Sequence, residues 1–178
     1  PVTFSLFFTL AGSFVLITII IAVYYAGELV WRDRDRKFHE VIDSTSLPGW
    51  AYMVPKTLAV TLVLFSTLLI SVLAAIAPQA IAGYFHFEFD KYLTWYVLPL
   101  GVDLVLTAVL AVFLQALSPN KYVGWGLMVI YLVVTLTLSG MGYDHPLILY
   151  ASSGPFALSD MNGDAVGRAV NWWLRLYW

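Results

Sequence analysis

The chain has 178 residues, of which 61% are hydrophobic, 16% aromatic and only 11% charged, with a formal net charge of -2. Soluble domains carry roughly 25% charged residues, so the composition excludes a water-facing globular surface and points to an integral membrane protein; with no basic face, it also excludes nucleic acid as a partner. Zero cysteine removes disulfides, thiolate metal sites and cysteine nucleophiles.

Residues 1–27 carry no charge, and Phe4 to Tyr25 is long enough as a helix to cross about 30 Å of hydrocarbon. This is span one, expected over about 4–27. Its hydroxyl residues (Thr3, Ser5, Thr9, Ser13, Thr18) are expected to bond back to the helix's own carbonyls. It lacks the basic start and the small-residue cleavage pattern of a signal peptide. The chain begins without Met and stops at "NWWLRLYW", and reads as a fragment of a longer protein.

The charged stretch "WRDRDRKFHEVIDS" (Trp31 to Ser44) follows. Trp31, Phe38, Val41 and Ile42 share one face at 3.6 residues per turn, and Arg32, Asp33, Arg36, Lys37 and Glu40 take the other. The pattern predicts an amphipathic helix over about 28–45, lying on the membrane surface and continuing or abutting span one. Its role is either to anchor topology or to dock a soluble partner. "HEVID" opens like a zinc-protease motif, but that motif needs a second His four residues after the first, on the same helical face. Asp43 stands near that place, and His86 and His145 are expected across the membrane, so no metal site is assigned.

Pro48 and Gly49 mark a turn. Span two is expected over about 54–80, its end marked by Pro78 and Gln79. The loop "GYFHFEFDKY" (Gly83 to Tyr92) alternates aromatic with polar residues, as an interfacial belt does. Span three covers about 93–117, with Pro99 and Gly101 near its start. The turn "SPNK" leads to span four, about 122–139. A connector rich in Gly, Pro, Ser and Asp runs over 140–164, where "LILYA" is a candidate re-entrant or interfacial piece. The Trp-rich segment 168–178 starts another span. The fold class expected is all-α: a polytopic transmembrane helical bundle with a cytoplasmic amphipathic helix.

Orientation follows from the distribution of Lys and Arg. Arg32, Arg34, Arg36, Lys37, Lys56 and Lys121 fall at one end of the spans, whereas Lys91 and Arg168 fall at the other, beside Glu88, Asp90, Asp144, Asp160 and Asp164. The charged stretch is therefore expected in the cytoplasm and the N-terminus outside. Asp103 is the sole charge within span three. It is either a substrate-path or ion-relay residue, a packing residue bonded to a Ser, Thr or Tyr of a neighbouring span, or a residue close enough to the surface to be hydrated; a charge at membrane depth costs about 2.5–3.5 kcal/mol. Gln115 is expected at the interface, Gly124 and Gly126 at a close helix contact, and Trp172, Trp173, Tyr177 and Trp178 as interface anchors. No G-x-x-x-x-G-K-[ST] motif is present, so nucleotide would have to bind on another subunit.

The stretch "AGELVWRDRDRKFHEVIDSTSLPGWAYMVPKTLA" (Ala26 to Ala59) resembles the transmembrane permease of type-2 ATP-binding-cassette (ABC) exporters. The family outline "GELVWRxRxxxxHEIIDxTPxPxW" is matched by Gly27, Glu28, Leu29, Trp31, Arg32, Arg34, His39, Glu40, Ile42, Asp43, Thr45, Pro48 and Trp50. The resemblance extends through "LSPNKYVGWGLMVIYLV" and "FALSDMNG", over essentially the whole chain. The subgroup it is most similar to is a bacterial permease fused to a gluzincin-type zinc aminopeptidase domain; that domain, with its zinc, is absent from these residues.

The resemblance implies a permease half in the bacterial inner membrane, working as a homodimer or pseudo-dimer by alternating access. The charged segment would be a coupling helix seated on a separate nucleotide-binding ATPase subunit, with ATP bound there. Glu28, Arg32, Arg34, Arg36 and Glu40 are the expected partner contacts, and Asp103 a possible intramembrane polar site. No catalytic residue, cofactor or metal is assigned to this chain. The competing readings are a membrane anchor for the aminopeptidase and a non-transporting scaffold.

Overall fold

The computed structural model describes residues 2–36, 44, 48–81, 90, 92–143, 145–152 and 168–178, without the side chains of 2–13, 15, 78–80 and 168. The described residues form an all-α bundle. Helix α1 spans Val2–Asp35 and α2 spans Gly49–Ile81. A π-helical turn at Tyr92–Val97 runs into α3, Leu98–Leu117. Then come α4, Lys121–Gly140, and the short α5, Arg168–Tyr177. Among the described residues, three stretches are long and apolar enough to cross a membrane: Gly49–Ala77, Tyr92–Leu117 and Lys121–Gly140. The uncharged segment read as span one lies inside the 34 residues of α1.

Helices α1 and α3 form the centre of the bundle. Each packs against the other and against both α2 and α4, which flank them on opposite sides. The inward faces are small or regular. Helix α1 buries Phe14, Thr18, Ala22, Ala26 and Val30 at every fourth residue, α2 buries Val60, Leu64 and Leu68, and α3 buries Leu104, Ala108 and Ala111. Small residues let backbones approach, which is how helices associate where lipid is as apolar as leucine. The outward faces carry Leu62, Leu69, Ile70, Leu73, Ile130 and Leu136, all exposed. A surface so apolar over so many turns belongs in hydrocarbon.

Of the span-one hydroxyls, Thr18 follows the predicted pattern, and Thr61 and Thr107 do the same in their helices; the side chains of Thr3, Ser5, Thr9 and Ser13 lie outside the described residues. Thr18 Oγ1 donates to the Phe14 carbonyl at 2.8 Å, Thr61 to Thr57 at 2.8 Å, and Thr107 to Asp103 at 2.8 Å. Each satisfies its own donor within its helix, as the lipid setting demands.

Local chemistry sets the element ends. Pro99 has no N–H for the helical ladder, and the π turn lies immediately before it; there Tyr96 Oη meets Ser71 Oγ of α2 at 2.9 Å. Asn120 caps α4 by accepting from the Val123 N–H at 2.9 Å. The far end of α4 closes in a Schellman pattern. Gly142 takes φ +85°, its N–H reaches the Ser139 carbonyl at 3.0 Å, and the Tyr143 N–H reaches that of Leu138 at 2.9 Å.

The helix expected over 28–45 continues span one rather than abutting it: α1 runs unbroken to Asp35, because nothing between Tyr25 and Asp35 interrupts the backbone ladder. Residues 37–43 and 45 of that expected helix, with His39, Glu40 and Asp43, lie outside the described residues. Helix α2 begins at Gly49, earlier than expected, and continues past Pro78 to Ile81. Gln115, two residues before the end of α3, is 2% exposed and packed between helices.

Candidate functional site

Two polar constellations stand at opposite ends of the bundle. At the Arg-rich end, α1 and α2 are fastened together. Lys56 Nζ lies 2.9 Å from Asp33 Oδ2, Tyr52 Oη donates to the same oxygen at 2.8 Å, and Lys56 donates to Tyr52 Oη at 2.6 Å. Lys56 also reaches the Val30 carbonyl at 3.4 Å. Burial of the Asp33 carboxyl pushes its pKa up, but hydrogen bonds from Lys56 and Tyr52 and the charges of Lys56 and Arg32 outweigh it, holding the group below the usual carboxylate range.

Around this fastening, Glu28, Arg32, Arg34 and Arg36 are all exposed, and the Arg34 guanidinium lies 4.8 Å from the centre of the Trp31 ring. Of the five expected partner contacts, four therefore sit on one rigid helical extension; Glu40 lies outside the described residues. Trp31 itself turns inward, and its Nε1 donates to Gln115 Oε1 at 3.1 Å. Glycines make room for this node. A Cβ on Gly27 would collide with the Trp125 indole, and one on Gly124 with the Gln115 amide. Gly126, also expected at a close contact, faces open space.

At the other end, the charge of Asp103 is met by Arg175 of α5. The pair is bidentate: Arg175 Nε to Asp103 Oδ1 at 2.9 Å and Nη2 to Oδ2 at 3.0 Å. Asp103 lies 14 residues before Leu117, so about 21 Å of helix separates it from the Arg-rich end. In a hydrocarbon core about 30 Å thick that places the pair at membrane depth. Removing one partner would leave a bare charge there, at a cost of about 2.5–3.5 kcal/mol. Among the readings of Asp103 one gave it a hydroxyl partner; the structure pairs it with a cation.

The connector joins this end. Tyr150 Oη donates to the Leu106 carbonyl at 3.0 Å, and Tyr131 Oη donates to the Tyr150 carbonyl at 3.2 Å. Tyr131 is 10 residues into α4, about 15 Å up its axis. The "LILYA" piece is therefore pinned to the bundle by Tyr150 and the buried Leu149, while Leu147 and Ile148 stay exposed. Directly after Tyr150, Ala151 takes φ +59°, a left-handed bend that a Cβ-bearing residue rarely adopts. Trp178 Nε1 donates to the Pro146 carbonyl at 3.1 Å, and its ring meets Tyr150 edge-on at 5.4 Å. Of the aromatics expected as anchors, Trp178 holds the connector and Trp173 and Tyr177 are exposed.

Arg175 and Lys56 were not selected from the sequence. The signal for Arg175 was arithmetic: one unpaired acid within a span and one base inside the last apolar run. Among the described residues no group of His, Cys, Asp or Glu is arranged to hold a metal ion. Comparison with family models, curated proteins and solved structures finds no match to this chain.

Proposed function

We propose that the chain is the membrane-spanning permease portion of an ATP-driven exporter, moving its substrate by alternating access in the bacterial inner membrane. A separate ATPase subunit supplies the energy. One observation carries the reading: α1 runs unbroken to Asp35, Arg32, Arg34 and Arg36 are exposed, and Asp33 pairs with Lys56 of α2. A subunit that grips those arginines would move two spans as one lever, because the ion pair and the Tyr52 bonds join them at the point of force. The resemblance of Ala26 to Ala59 to exporter permeases supports the same conclusion.

In this reading the Arg-rich end faces the cytoplasm and residues 28–45 contact the ATPase. The permease is a homodimer or pseudo-dimer, which supplies the second half of a substrate path. No step of the cycle needs a cofactor in this chain. The test is to purify the full-length protein, ask whether an ATPase accompanies it, and reconstitute the pair with R34E and R36E. Hydrolysis that persists while transport and its stimulation are lost is the expected result. A protein that purifies with no ATPase, retaining only aminopeptidase activity, would instead make these helices a tether.

A further inference from the structure

Helix α5 is amphipathic in the reverse sense. Its polar residues Asn171 and Arg175, one turn apart, are 4% and 8% exposed, whereas Val170, Trp173, Leu176 and Tyr177 on its other face are 62%, 73%, 74% and 64% exposed. A helix lying on a water-soluble surface buries the apolar face. Here the apolar face looks away from the protein, and the only solvent that favours such an arrangement is hydrocarbon. The depth of the contact agrees: Arg175 reaches Asp103 about 21 Å along α3 from Leu117.

We propose that α5 is a membrane-embedded latch: acyl chains cover its Trp173–Leu176 face, and the Arg175–Asp103 pair holds it against the far half of the bundle. The two halves of the proposal depend on each other. Arg175 enters lipid because Asp103 neutralises it with both carboxylate oxygens, and α5 stays on the bundle because swinging away would carry a bare guanidinium into hydrocarbon. The bonds from Trp178 to Pro146 and from Tyr150 to Leu106 join residues 146–150 to the same latch, so this part of the connector ties α5 to α3 as well. This placement stands apart from any role in ATP-driven transport, since it concerns where α5 lies.

The chain has no cysteine, so one introduced thiol reports its own surroundings. The full-length protein carrying L176C is treated with a membrane-impermeant maleimide in membrane fragments open on both sides. I130C, on the exposed face of α4, serves as the lipid-facing control and M141C, beyond the end of that helix, as the water-facing one. L176C is expected to stay unlabelled, like I130C, until detergent dissolves the bilayer. Adding D103N is expected to abolish that protection, and the charge swap D103R with R175D to restore it. L176C labelling at the rate of M141C in the parent protein would overturn the proposal, as would protection unchanged by D103N. Where D103N fails to accumulate, R175Q is read in its place. If neither accumulates, recovery in the swap supports the latch, and a swap as poor as the single variants refutes it.

Discussion

Replacing Gln115 with leucine shortens the side chain by one bond and removes its amide. In the native bundle Gln115 Oε1 accepts from Trp31 Nε1 at 3.1 Å, and at 2% exposure no water stands ready to replace that acceptor. Two estimates compete for the magnitude. An orphaned buried donor costs about 1–3 kcal/mol in soluble proteins. Hydrogen bonds between membrane helices couple by only about 0.6 kcal/mol on average and about 1.7 at most, because the chain unfolded in lipid also finds partners. The membrane value governs here, and leucine regains apolar contact while leaving open the space beside Gly124 that the amide fills. The expected loss is about 1 kcal/mol, roughly fivefold in the folded-to-unfolded ratio. The decisive form is a double-mutant cycle with W31F, measured by reversible detergent-induced unfolding followed by circular dichroism. A coupling of about 0.6–1.7 kcal/mol is expected. Additivity within about 0.3 kcal/mol, the behaviour of independent sites, would show that no hydrogen bond joins α1 and α3 there.

The Asp33–Lys56 fastening makes the Arg-rich end acid-sensitive. Asp33 is depressed in the folded state, so its contribution is complete above the unfolded carboxylate value of about 3.9 and drains as pH falls through the lower folded value. Thermal melting in detergent from pH 6 to 3 should show a drop that K56M removes; an unchanged profile in K56M would disprove the assignment. The glycines should divide by what surrounds them. G27A and G124A must displace Trp125 or Gln115 and are expected to lower stability by about 1–3 kcal/mol. G126A meets nothing and should raise it by up to about 1 kcal/mol through helix propensity. Equal effects at all three, in the same unfolding assay, would contradict the packing. Y150F removes the donor to Leu106 from a carbonyl whose helical partner remains, so it should cost about 0.6 kcal/mol, clearly less than R175Q; the reverse ranking would place the anchor in the connector rather than in the ion pair.

Composition alone determined that the chain is an all-α membrane bundle. Lipid leaves no choice but to satisfy backbone groups within helices, and uncharged runs of more than 20 residues leave few ways to place them. The turn at Ser118 to Lys121 and the Arg-rich end were equally legible, since capping and charge are local properties. What the one-dimensional pattern did not contain was which polar groups meet. Asp103 and Arg175 stand 72 positions apart, and Trp31 and Gln115 stand 84 apart. Neither pairing follows from periodicity, because membrane helices are apolar on all sides and hydrophobic patterning does not mark their inner face. Only packing decided it: glycines at 27 and 124 bring α1 and α4 around Gln115, and α5 turns Arg175 inward because the Asp103 carboxylate, 2.9 Å away, meets its charge.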